Sequence, residues 1–212
     1  MKKITSGKNG STSGASPAKQ PEISLLLHDI RSVYNVGSIF RTADAFGVAR
    51  IYLSGYTPTP IDRFGRKRAD VAKVALGAED SVAWRRLEGS PLEFIKKYKI
   101  KDNVVIIALE QDPRSVDYRH VIGKIYRENL DNSKILLILG NEIGGISRDI
   151  LDHTDIIAEI PMRGTKESLN VSVAAGVRAG SAQFVHSVHV HHHQPGDALH
   201  RDRNAGRDGD AA

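Results

Sequence analysis

The chain has no cysteine, and only two methionines, one tryptophan and 6% aromatic residues among its 212 positions. Without thiols there are no disulfides, no thiolate catalysis and none of the common structural zinc sites, and a reducing compartment is compatible. Long hydrophobic runs are missing as well. Stretches such as Ile135 to Leu139 and Val104 to Leu109 fall far short of the roughly 20 residues that cross a bilayer. Residues 1–20 carry lysines and small polar side chains but no apolar segment, so no signal peptide is expected. A soluble cytoplasmic protein without membrane contact follows. Two phosphate-binding fingerprints are also missing, G-x-G-x-x-G and G-x-x-x-x-G-K-[ST], which argues against an ordinary doubly wound nucleotide enzyme.

Hydrophobic residues make up 40% of the chain, enough for one sizeable core. Residues 1–22 read as a flexible basic tail, residues 23–180 as one domain, and residues 181–212 as a disordered tail rich in His, Arg, Asp and Gly. A tract such as His191 to His193 can bind metal, but flexible ligands without supporting partners make only an adventitious site, so no functional metal is expected.

Within the domain, Ser24 to Leu27, Arg50 to Leu53, Val104 to Leu109, Ile135 to Leu139 and Ile156 to Ile160 read as strands. Helices are predicted over Gly37 to Phe46, closed by Gly47, over Ser90 to Tyr98 behind a Ser-Pro-Leu-Glu capping box, over Arg119 to Glu128, over Ser147 to Leu151, and after a cap at Ser168. Gly55 to Pro60 holds two prolines and cannot be regular. Aliphatic strands alternating with helices mean a parallel sheet covered on both faces, an α/β fold.

Three segments carry the chemistry, each where a strand hands over to a helix: Asn35 to Arg41, Leu139 to Ser147 and Ile160 to Val173. Such positions lie beyond the carboxyl ends of the strands, where open α/β sheets bind ligands. Glycines in the second segment let backbone approach a ligand closely, and free amides at a helix start favour a carboxylate or phosphate. In the third segment a cap accounts for Ser168, whereas Asn170 and Ser172 are poor interior helix residues that a cap does not require. Arg41 and Asp44 stand at i,i+3, the spacing of a helix salt bridge. Formal net charge is +5, and Arg63, Arg66, Lys67 and Arg68 fall within six residues. This cluster is either a solvated loop or a phosphate-steering patch for RNA.

Asn35-x-Gly-x-x-x-Arg41-Thr-Ala, the Leu139-Gly-Asn-Glu-x-x-Gly loop and Ile160-Pro-Met-x-Gly-x-x-x-Ser168-Leu-Asn-Val-Ser-Val-Ala together resemble the three motifs of the SpoU/TrmH branch of the SPOUT RNA methyltransferases. Lys73-Val-Ala-Leu-Gly-Ala-Glu and Ala108-Leu-Glu-Gln are similar to that family's connecting segments, and the likeness spans about Ile23 to Gly180. It implies a parallel sheet flanked by helices with a carboxyl-terminal deep trefoil knot, an exception to unthreaded chains. It also implies S-adenosylmethionine as cofactor, held through Leu109, Gly140, Ile160 and Leu169, with Glu142, Met162 and Ser168 lining the pocket. The implied reaction is methyl transfer to a ribose 2′-hydroxyl of tRNA or rRNA by a homodimer. Arg41 would be the catalytic residue, with Asn35, Glu142 and Asn170 positioning it and the ribose. After Ala175-Gly-Val the chain reads Arg178-Ala-Gly-Ser-Ala-Gln, where the family continues with aliphatic and aromatic residues, and this departure implies a weaker dimer. An RNA-binding protein with the same fold and reduced or lost catalysis is the alternative, and cofactor binding separates the two.

Overall fold

The strands are β1 (Glu22–His28), β2 (Arg50–Ser54), β3 (Trp84–Arg86), β4 (Val105–Leu109), β5 (Val116–Asp117), β6 (Lys134–Leu139) and β7 (Ile156–Glu159). The helices are α1 (Val33–Ala45), α2 (Ala69–Ala75), α3 (Ala78–Ser81), α4 (Pro91–Asp102), α5 (Arg148–Leu151) and α6, helical over residues 171–177. The computed structural model describes residues 21–102, 104–121, 124–125 and 134–177. Residues 1–20 of the first predicted tail, the whole of the second, and half of the helix predicted over Arg119 to Glu128 lie outside them, while Glu22, placed in the first tail, instead opens β1.

All seven strands join one parallel sheet in the order β3-β2-β1-β6-β4-β7-β5. The chain first builds outward from β1 to β3, then crosses to the other side and inserts β6 between β1 and β4. That reversal is a switch point, and in open α/β sheets the crevice beyond the strand ends there takes the ligand. Register brings those ends level: Leu27 pairs with Leu139, Leu139 with Leu109, and Leu109 with Ala158.

Strict alternation divides each strand between two cores. Leu25, Leu27, Val105, Ile107, Ile135, Leu137 and Ile156 face the layer of α1, α2 and α6, with Phe40 fully buried among them. Leu26, Ile106, Leu136, Ile138 and Ile157 face α4 and α5. Both faces are dry, so these strands are nearly all aliphatic.

Helix α1 starts four residues earlier than the glycine pattern predicts. Ser32 is its cap, the Ser32 hydroxyl accepting from the Asn35 amide at 3.2 Å, which places Asn35 in the first turn. Gly37 then lies against α2, where a Cβ would sit 2.7 Å from the Val74 Cβ. Gly47 ends α1 as predicted, at φ +59. Helix α4 begins at Pro91, with Ser90 accepting from the Glu93 amide at 3.4 Å, and runs past Tyr98 to Asp102. Over the predicted Arg119 helix, a 3-10 turn at Tyr118–His120 precedes helical positions 121, 124 and 125. Helices α2 and α3 and strand β3 were invisible in the sequence, because seven, four and three residues are too few for a period to show.

The third segment needs a correction. Helix α6 is entered at Asn170, not Ser168: Asn170 Oδ1 accepts from the Ser172 amide at 2.8 Å and from Ser172 Oγ at 2.7 Å. Asn170 is the better cap because its carboxamide reaches two donors at once and still has an amide nitrogen to spare.

Candidate active site

The loop after β6 is built around Asn141. Its Oδ1 accepts from the amides of Ile143 (2.8 Å) and Gly144 (2.7 Å), a side chain mimicking a backbone turn. Its Nδ2 donates to the Asp29 carbonyl at 2.8 Å and to the Tyr56 hydroxyl, so the loop is pinned to the ends of β1 and β2. Gly140 is required by the loop itself, since a Cβ there would lie 2.7 Å from the Gly145 carbonyl atoms. Gly145 adopts φ +62, and a Cβ there would collide with the Glu110 carboxylate. Glu110 in turn accepts from the Ile146 amide at 2.9 Å.

Glu142, at the loop tip, joins the first two motifs. Its carboxylate accepts from Asn35 Nδ2 (2.9 Å), the Arg31 amide (3.1 Å) and the Ser32 amide (3.4 Å). Asn35 Oδ1 accepts from Asn170 Nδ2 at 3.0 Å, which brings in the third motif. Segments 107 and 135 positions apart thus meet in one chain of hydrogen bonds, Glu142 to Asn35 to Asn170. Partial burial pushes the Glu142 carboxyl up, but the bonds from Asn35, Arg31 and Ser32 outweigh it and hold the group below its ordinary value.

Behind this chain is a cavity of about 500 Å³. Every residue the family likeness assigns to the cofactor lines it: Leu109, Gly140, Glu142, Ile160, Met162, Ser168 and Leu169, together with Asn170. Its walls combine aliphatic surface with the carboxylates of Glu110, Glu142, Glu159 and Glu167. Gln111 ties two walls together, Nε2 donating to the Glu167 carbonyl at 2.6 Å. Glu110, Gln111 and Asn141 were not singled out in the sequence, although all three stand inside quoted motif segments; Tyr56 had no sequence signal.

Arg41 is not among the residues that line the cavity. It is exposed, the helix salt bridge with Asp44 that their i,i+3 spacing allows does not form, and it has no ion pair among the described residues. Asp44 instead accepts from Ser81 Oγ at 2.6 Å.

The basic cluster is largely neutralised within the chain. Arg66 pairs with Asp62 at 2.9 Å, Arg68 with Asp70 at 2.6 Å, and Lys67 with Glu79 at 3.0 Å and Asp80 at 2.5 Å. Glu79 and Asp80 lie on α3, too far along the chain to be counted against the cluster in the sequence. Arg63 has no ion pair among the described residues and lies 4.7 Å from the Phe64 ring centroid. Arg63, Arg68, Arg86, Tyr56 and Phe64 border a second concavity of about 430 Å³ beside the first. Among the described residues no group of three or more His, Asp or Glu is placed to hold a metal, and no helix is long and apolar enough to cross a membrane.

Comparison with known proteins gives a consistent result. The sequence profile of the SpoU rRNA Methylase family matches residues 22–179. A 23S rRNA (guanosine-2′-O-)-methyltransferase RlmB of Neisseria meningitidis is 33% identical over 160 residues, covering 74% of this chain and 56% of the relative. The Escherichia coli protein of that name is 29% identical over 153 residues, covering 72% and 56%. The chain therefore spans about half the length of the curated relatives it matches. Among solved structures, an AdoMet-bound rRNA methyltransferase from Sinorhizobium meliloti superposes with a TM-score of 0.66 at 25% identity, over 78% of this chain and 57% of that one. A TrmH/SpoU tRNA modifying enzyme from A. aeolicus does so with 0.65 at 25%, over 81% and 79%.

Proposed function

The chain belongs to the SpoU rRNA methylase family, and from that premise we propose that it is an S-adenosylmethionine-dependent RNA methyltransferase acting on a ribose 2′-hydroxyl. Ribosomal RNA is the substrate favoured by the names of the relatives, with tRNA the second candidate. The observation that carries this reading is the Glu142–Asn35–Asn170 chain standing at the edge of a cavity lined by all the expected cofactor residues.

The cavity suits the cofactor. Its volume is within the roughly 300–1,000 Å³ of small-molecule sites, its aliphatic walls fit an adenosine, and its four carboxylates complement a sulfonium and an ammonium. Leu109, Gly140, Ile160, Met162, Ser168 and Leu169 would hold it. When bound there, S-adenosylmethionine supplies a methyl group on a sulfonium, which passes to the hydroxyl by in-line displacement.

The protein's part is alignment and charge. Each carboxamide nitrogen of Asn35 and Asn170 has two N–H donors. One from each is spent in the chain of hydrogen bonds, which leaves one from each for a ribose oxygen. Glu142 is held ionised with its acceptors occupied, so it fixes Asn35 and does not take the proton. A guanidinium is not deprotonated in a protein, so Arg41 is not the base. We assign it to gripping an RNA phosphate and stabilising the developing alkoxide; the hydroxyl proton leaves to water or a phosphate oxygen. The exposed position of Arg41, outside the cofactor cavity, suits a residue that acts from the RNA side. Arg63, Arg66, Lys67 and Arg68 are proposed as phosphate contacts, Arg63 foremost because its charge is unspent.

A homodimer in the cytoplasm is part of the proposal, as is a knotted carboxyl-terminal crossing. Large apolar side chains exposed on the site's own segments, Ile143 at 81% and Val173 at 51%, support a self-complementary contact there. Calorimetry with S-adenosylmethionine, followed by mass spectrometry of RNA from a strain lacking the protein, tests the reading. Binding in the low micromolar range and loss of one 2′-O-methyl nucleotide are expected. Binding of RNA without cofactor binding would establish the non-catalytic alternative instead.

A further inference from the structure

At the opposite end of the sheet, where β1, β2 and β6 begin, a cleft of about 430 Å³ opens between the strand starts and α4. Four of its charged lining groups are cations, Arg50, Arg85, Lys97 and Lys134, and one, Glu22, is an anion. Arg50, Arg85 and Lys97 have no ion pair or side-chain hydrogen bond among the described residues. This is the reverse of the cluster at Arg63 to Arg68, which looks basic in the sequence and is mostly paired in the fold. Here the cations come from β2, β3, α4 and β6, dispersed along the sequence and concentrated only by folding.

The floor of the cleft is aromatic. Phe94 and Tyr98 stack at 5.1 Å with an interplanar angle of 18°, and Tyr52 meets them at 4.6 and 5.6 Å. Ser24 lines it too, only 2% exposed, and its hydroxyl makes no hydrogen bond among the described residues. A buried hydroxyl without a partner is uncommon and marks a place for a polar group from outside.

Unspent cations around a ring platform are the chemistry that holds a phosphate and a flat base together. We propose that this cleft is a second ligand site, which takes a nucleoside phosphate. The ligand is either a nucleotide of an RNA strand or a free mononucleotide. The RNA source rests on the methyltransferase reading above. Because β1 is seven residues long and a strand rises about 3.3 Å per residue, the cleft is roughly 20 Å from the cofactor cavity. An RNA bound at both places would be gripped well away from the nucleotide it presents for methylation.

The test uses the full chain, with a twelve-nucleotide single-stranded RNA, guanosine monophosphate and inorganic phosphate as probes. Two variants remove exposed charge without touching the candidate active site, Arg50→Ser with Lys97→Ser, and Arg85→Ser. The double variant should bind the RNA at least tenfold more weakly. Its plot of log K against log salt should be shallower by about 1.4, since each lost single-strand phosphate contact is worth about 0.7. Guanosine monophosphate binding that the variants weaken in the same way extends the site to free nucleotides; RNA weakening with no mononucleotide binding assigns it to RNA. Unchanged affinity for both probes in both variants overturns the proposal, and so does inorganic phosphate competing as well as the mononucleotide, because the rings would then contribute nothing. Cofactor calorimetry on the same samples keeps the two readings apart: absent S-adenosylmethionine binding in the wild type refutes the methyltransferase reading, and the mononucleotide result stands regardless.

Discussion

Replacing Glu142 by Gln tests whether the loop after β6 is coupled to the start of α1 through one ionised carboxylate. Gln keeps a single acceptor oxygen and turns the other into a donor, which then faces an N–H of Asn35 or of the Arg31 and Ser32 amides. A hydrogen bond to a charged group contributes about 1.5–3 kcal/mol, and the exposure of Glu142 brings the expected loss down to about 1–2 kcal/mol after solvent screening. Amide hydrogen exchange reads it directly: protection at Arg31 and Ser32 should fall by about 5- to 30-fold, at 1.36 kcal/mol per factor of ten. The same protection should depend on pH. The folded carboxyl titrates below its unfolded value, so its contribution is present above the unfolded pKa of about 4.3 and is lost as pH falls through the folded one. Unchanged exchange at both amides in the Gln variant, with no loss on acidification of the wild type, would refute the coupling.

Arg41→Ala should abolish methyl transfer while changing S-adenosylmethionine affinity less than twofold by calorimetry, because Arg41 is outside the cavity lining; Arg41→Lys should recover little, lacking the planar fork. Asn141→Ala removes both halves of the loop anchor and should cost about 2–3 kcal/mol in denaturant unfolding, with weaker cofactor binding; an unaltered midpoint would deny the loop's dependence on this side chain. Gly37→Ala gains up to about 1 kcal/mol of helix propensity but must move Val74, whose Cβ stands 2.7 Å away, and overpacking of about 1–3 kcal/mol should win and lower the melting temperature. Arg63→Ala should weaken RNA binding without changing thermal stability, whereas Lys67→Ala should lower stability by leaving the buried Glu79 carboxylate short of a partner; the opposite pattern in melting and filter-binding assays would overturn the division of roles.

The sequence by itself determined the fold class and the three segments that meet at the site. Both-face aliphatic strands such as Ile135 to Leu139 identify a covered parallel sheet, and the ordered motifs at Asn35, Leu139 and Ile160 identify the family, because both signals are local in the chain. Boundaries that depend on a cap were read less well: Ser32 and Asn170 start their helices, while the pattern pointed to Gly37 and Ser168. Local charge depends on folding for a related reason. A cluster such as Arg63 to Arg68 is counted along the chain, but its energy depends on which carboxylates folding brings near, here Glu79 and Asp80 from α3. Only the tertiary structure decided that Glu142 reaches Asn35 and Asn35 reaches Asn170, and that Arg50, Arg85 and Lys97, without an ion pair among the described residues, gather over an aromatic floor. Those contacts are set by the insertion of β6 between β1 and β4, and electrostatic and hydrogen-bond energies act over ångströms of space, a separation that sequence distance does not encode.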